Sequence, residues 1–132
     1  TPQLEARFAA RFGASACVSL HSGLTPPQRL AAWLAAHGGR ARIVLGTRVA
    51  VLASMPGLRL IVVDEEHDPS YKQQEGARYS ARDLALYRGR LLGARVILGS
   101  ATPALESWHA STPAPEGPGR YQRLAMPRRR AR

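Results

Sequence analysis

The chain has 132 residues and a formal net charge of +10, with Arg supplying all but one of its 19 basic side chains. That length buries one modest core, so a single α/β layer structure is expected, and the charge favours a polyanionic partner such as nucleic acid over a neutral substrate. A lone cysteine, Cys17, excludes a disulfide framework or a multi-cysteine zinc site within the chain, and no stretch has the length of a membrane span or the pattern of a signal segment. A cytoplasmic protein is therefore expected. An Arg-biased composition explains the total charge equally well, so its distribution carries more weight than its sum.

In chain order, Pro2 suits a first helical turn, Leu4, Phe8 and Phe12 recur near helical spacing, and Gly13 is a reasonable stop. A strand around Cys17 follows. Thr25-Pro26-Pro27-Gln28 carries a capping-box pattern before an apolar stripe of Leu30, Trp33 and Leu34, and Gly38-Gly39 ends that helix. Ile43 to Leu45 and Leu58 to Val63 read as the second and third strands. Ser80-Ala81-Arg82-Asp83 opens a helix that runs to Gly93, and Val96 to Leu98 is the fourth strand. Thr102-Pro103 is expected to cap a last short helix, and 112–119 has the composition of a linker. Strands alternating with helices predict an α/β fold with a mostly parallel sheet.

Four polar strings each follow a predicted strand: His21-Ser22-Gly23, Gly46-Thr47-Arg48, Asp64-Glu65-Glu66-His67 and Gly99-Ser100-Ala101-Thr102-Pro103. This order places them along one rim, where open parallel sheets hold their ligands. The third string stands out, because five of the nine acidic residues (Asp64, Glu65, Glu66, Asp68, Glu75) fall close together in an otherwise basic chain. Adjacent carboxylates at a strand end can divide the work of phosphoryl transfer. Asp64 is expected to hold a hydrated magnesium ion, which keeps several waters and takes one or two carboxylates, and Glu65 to polarise the attacking water. His67 is open to three roles: metal ligand, base, or a sensor bonded to a neighbouring loop; without a second histidine at ligand spacing the sensor role is preferred. Ser100 and Thr102 offer hydroxyls to the acidic loop, and Thr102 serves as well as a plain helix cap.

The acidic string, Gly-Ser-Ala-Thr-Pro, and the stretch from Asp64 to Asp83, with Ser70-Tyr71-Lys72-Gln73-Gln74-Glu75-Gly76 and Tyr79-Ser80-Ala81-Arg82-Asp83, together resemble the PriA family. These are superfamily 2 DNA helicases that restart stalled replication. The resemblance runs from His21 to Glu106. It implies a RecA-like P-loop NTPase lobe, with ATP and Mg2+ as cofactors, Asp64 and Glu65 at the Walker B positions, and His67 acting with Gly99, Ser100, Ala101 and Thr102 to couple nucleotide state to DNA movement. It further implies that Gly46, Thr47 and Arg48 touch the DNA strand, and that the segment from Tyr71 to Tyr79 senses single-stranded DNA. The residues support that last role, since Tyr71 and Tyr79 offer stacking faces worth about 1–3 kcal/mol per base, and Lys72, Arg78 and Arg82 offer phosphate contacts. The less favoured alternative is that these tyrosines simply cover the sheet edge. Ser80 stands where the family is expected to carry histidine.

A P-loop needs a Gly-Lys-Ser/Thr string. The sole lysine, Lys72, lies between Tyr71 and Gln73, so the chain contains no Walker A motif. By the resemblance that motif lies upstream, and a second motor lobe and a zinc-binding cysteine region lie downstream; zinc is expected only there. Residues 1–110 are accordingly read as the distal part of a first helicase lobe, and 111–132 as a Pro/Gly linker and Arg-rich segment leading toward the second. Thr1 in place of Met suggests a piece of a longer protein, inactive alone. The expected partners are branched DNA, single-stranded DNA, single-stranded DNA-binding protein and other primosome proteins, with nucleoid association and no membrane. Two other readings stay open: a nucleic-acid-binding module of a degenerate helicase without ATPase activity, and another superfamily 2 DNA translocase.

Overall fold

The computed structural model describes residues 2–66, 80–111 and 121–126. Helix α1 (Pro2–Phe12) leads through a 3-10 turn at Ala14–Ala16 into strand β1 (Cys17–Leu20). Helix α2 (Pro26–His37) returns the chain to strand β2 (Ile43–Gly46), which pairs parallel with β1 from Cys17 opposite Ile43 to Leu20 opposite Gly46. A second 3-10 turn, Arg48–Leu52, precedes strand β3 (Leu60–Val63). Helix α3 (Ala81–Leu92) then crosses to strand β4 (Arg95–Leu98), again parallel, with Leu60 opposite Arg95 and Val63 opposite Leu98. Helix α4 (Leu105–Ala110) is the last element among the described residues.

Local sequence accounts for most of these boundaries. The expected capping box at α2 is complete: Gln28 N–H donates to Thr25 Oγ1 at 3.4 Å and Thr25 N–H donates to Gln28 Oε1 at 2.9 Å. Ser80 caps α3 by accepting from Asp83 N–H, and Gly93 ends it in the left-handed region at φ 68°, where a side chain would be strained. At α4 the expectation is corrected. The N-cap is Ala104, not Thr102, and it has no side-chain cap of its own; the bond that makes this possible arrives from β3.

The predicted parallel pairing holds, but within the described residues it forms two separate two-stranded sheets, β1 with β2 and β3 with β4. After β2 the chain turns through the 3-10 segment, whose Val51 carbonyl accepts from Arg88 Nη1 at 2.8 Å, so this link packs against α3. One cluster of core side chains joins Leu20, Ala32 and Ala53, with Val18, Leu24, Val44 and Ala50 against it. A second packing surface is the buried stripe Ala81, Ala85 and Gly89 of α3 over β3 and β4. The stripe is made of small residues because the approach is close. A Cβ at Gly89 would run into Val96 Cγ2 and come within 3.1 Å of the Ala94 carbonyl. The other face of β3 and β4, carrying Leu60, Val62 and Ile97, is exposed. Among the described residues no helix is long and apolar enough to cross a membrane.

Candidate functional site

Because β3 and β4 run parallel and in register, the residues that follow Val63 and Leu98 emerge at the same end. Asp64 and Gly99 are therefore neighbours. Gly99 N–H donates to the Val63 carbonyl at 2.8 Å, and Glu66 N–H donates back to the Gly99 carbonyl at 3.0 Å, so backbone bonds lace the two loops together. A Cβ on Gly99 would lie 3.4 Å from Asp64 Oδ1, in ordinary van der Waals contact.

Asp64 and Glu65 are both exposed. Asp64 Oδ1 accepts the Glu65 N–H at 3.0 Å, which fixes the carboxylate against its own turn. Glu65 is the single non-glycine residue with positive φ among the described residues, at 48°. A long side chain in this left-handed region costs of order 1–2 kcal/mol, and such outliers cluster where a site needs a side chain aimed in a particular direction. In the facing loop, Ser100 Oγ accepts the Thr102 N–H at 3.0 Å, and Ala101 and Thr102 are exposed.

Glu66 behaves differently from its two acidic neighbours. It is 3% exposed and is the one buried polar or charged residue among those described. Its Oε1 accepts the Ala104 N–H at 2.8 Å, while Oε2 accepts the Ser107 hydroxyl at 3.0 Å and Arg82 Nη1 at 3.3 Å. Glu66 thus performs, from the turn after β3, the task an N3 glutamate performs in a capping box, and so α4 starts at an alanine. Burial alone lowers the Arg82 pKa, but the charge of Asp83 and the bonds and charge of Glu66 outweigh it and raise the guanidinium above its ordinary value. A buried carboxylate is tolerable only when paired in this way, and removing one partner of such a pair costs about 3–5 kcal/mol. Sequence reasoning counted Glu66 among the cation-attracting acids and missed this role. The signal was faint: three consecutive carboxylates with an Arg at the start of the next helix.

The other expected residues fall as follows. Thr47 is exposed and Arg48 partly buried at the carboxyl end of β2, in the other strand pair. Gly46 beside them leaves no room for a side chain, which would run into the Leu20 carbonyl and Ala50. The Arg82 guanidinium lies on Glu66 and Asp83, its side chain 15% exposed. His67, Tyr71, Lys72, Arg78 and Tyr79 lie outside the described residues. So does most of 111–132, although Tyr121 N–H donates to the Ala110 carbonyl and Arg123 stacks 3.5 Å over the Trp108 ring, which returns 121–126 to α4. No group of three or more metal-ligating side chains occurs among the described residues. An exposed Asp64 suits an ion that keeps most of its waters.

The loop pair has close counterparts in known sequences. The chain is 46% identical over 129 residues to the replication restart protein PriA of Haemophilus influenzae, covering 98% of this chain and 17% of that protein. Its identity to the Synechocystis sp. protein of the same name is 45% over 130 residues, 98% of this chain and 15% of that protein. To the Chlamydia pneumoniae protein of that name it is 49% over 109 residues, 82% and 14% respectively. This chain belongs to the PriA family. It spans about one sixth of the length of these PriA relatives, and the matched stretch includes both strand pairs and the loops at their ends. No family model matches.

Proposed function

We propose that this chain contributes the carboxylate side of the ATP site, together with part of the DNA-contacting surface, to a 3′-to-5′ DNA helicase that restarts stalled replication. The observation that carries this reading is the juxtaposition of Asp64 and Glu65 with the Gly99–Thr102 loop at one end of a parallel strand pair, in a chain whose relatives are named replication restart proteins.

Magnesium-ATP, when bound, supplies the transferable phosphoryl group and the divalent charge that neutralises it. Asp64, exposed and beside Gly99, suits a hydrated cation. Asp64 would hold that water shell, its carboxylate accepting hydrogen bonds from the cation's waters. Glu65, held in the left-handed region, is proposed to orient the attacking water and accept its proton. Ser100 and Thr102, bonded to each other across one turn, are proposed to meet these acids from the loop after β4. The lysine-bearing phosphate loop is not in this sequence, and the chain alone is proposed to hydrolyse nothing. Thr47 and Arg48, with Tyr71, Lys72, Arg78 and Tyr79, are proposed to face DNA. Branched DNA, single-stranded DNA-binding protein and other primosome proteins are the proposed partners of the whole protein.

The test is Glu65→Gln in a full-length protein carrying this segment. Nucleotide should bind as in the wild type while DNA-stimulated ATP turnover falls by a factor of about 100 or more, the scale of a lost general base. Turnover at the wild-type rate would remove Glu65 from this role, and a wild-type protein that binds DNA without hydrolysing ATP would favour the nucleic-acid-binding module instead.

A further inference from the structure

Glu66 lies between the two exposed acids and a segment of chain, 67–79, that re-enters the described fold at Ser80. Its backbone and side chain bond to four separate points: the Gly99 carbonyl, Ala104 N–H and Ser107 hydroxyl on the β4 side, and Arg82 in the first turn of α3. The carboxylate is buried, and these partners occupy it. Three independent elements therefore converge on one side chain, immediately after the two residues that the functional reading assigns to chemistry.

We propose that Glu66 is a positioning residue of the ATP site: by tying α3 and the start of α4 to the end of β3, it sets the angle at which Asp64 and Glu65 meet the Gly99–Thr102 loop. This rests on the functional reading above. The physical ground is that Glu65 holds an unfavourable backbone conformation, which persists only when its surroundings over-determine it, and the residue on its carboxyl side is the most firmly bonded group in the turn. Loosening Glu66 releases that constraint.

Glu66→Gln keeps the shape and the acceptor for Ala104 but removes the charge that holds Arg82. In a full-length protein carrying this segment, per-site kcat for ATP should fall about tenfold, as expected for a small misplacement of reacting groups, while nucleotide affinity stays within about twofold of wild type. Ser107→Ala, which deletes one bond without touching charge, should give a smaller fall of the same kind, and should add little to Glu66→Gln when the two are combined. Active-site titration with a fluorescent nucleotide separates the outcomes. If both variants lose binding-competent sites but the remaining sites turn over at the wild-type rate, Glu66 is merely structural and the inference is overturned. A fall in affinity with kcat unchanged also overturns it. If the wild-type protein itself shows no ATP turnover, the functional reading fails and this inference fails with it.

Discussion

Gly99→Ala separates the chemistry of the loop pair from its stability. The new Cβ would lie 3.4 Å from Asp64 Oδ1 and 3.8 Å from the Val63 carbonyl, which are ordinary van der Waals distances. The bonds of Gly99 to Val63 and Glu66 use only its backbone, and its φ is not among the positive ones. The fold should accept the methyl, and loss of glycine's freedom in the unfolded chain should add about 0.4–1 kcal/mol of stability. The carboxylate should not accept it. A water must approach Oδ1 to about 2.8 Å, and a methyl at 3.4 Å occupies that side. One hydrogen bond to a charged group is worth about 1.5–3 kcal/mol, and because Asp64 is exposed and can recover part of its hydration elsewhere, the lower figure is the working one. That corresponds to roughly tenfold weaker use of Mg2+. The assay is a magnesium titration of DNA-stimulated ATP turnover at saturating ATP, in a full-length protein, beside a thermal melt. An unchanged magnesium requirement in a protein of unchanged or higher melting temperature would refute the reasoning.

Gly89→Ala should reverse the usual sign of a helical glycine replacement: the gain of about 1 kcal/mol in helix propensity is outweighed by overpacking against Val96, about 1–3 kcal/mol, and truncating Val96 to Ala in the same protein should restore part of the loss in urea unfolding. A stabilised single variant would mean that α3 does not press on β4. Thr25→Ala should weaken the start of α2 by about 1 kcal/mol, seen as roughly fivefold faster amide exchange in its first turn, whereas exchange at wild-type rates would show that the capping box contributes nothing.

Much of the fold was legible because its signals are local. The Thr25–Gln28 box, the Ser80 cap, Gly93 and the apolar runs of the four strands each act within a few residues of themselves, and each element lies within about two residues of its expected position. What escaped acts at a distance. Thr102 looked like the cap of α4 because Thr-Pro is a good local start, yet the cap is Ala104, served by a carboxylate 38 residues away. Glu66 itself has no local signature, since a buried acid and an exposed one look alike until Arg82, Ser107 and Ala104 are seen around it. Likewise, alternation of strands and helices predicts parallel pairing but not that the described strands form two pairs in place of one sheet. Asp64 and Gly99 come together at the end of the β3–β4 pair, as strand order implies, whereas Thr47 and Arg48 belong to the other pair. The expected roles of His67 and of the tyrosines 71 and 79 lie outside the described residues.

The most direct measurement is anomalous diffraction from crystals of a full-length protein carrying this segment, grown with Mn2+ in place of Mg2+ and a non-hydrolysable ATP analogue. The manganese peak should fall within about 5 Å of the Asp64 carboxylate, one water shell away, with Glu65 turned toward the terminal phosphate. A manganese peak remote from Asp64, with nucleotide bound and Glu65 facing away from it, would contradict the account.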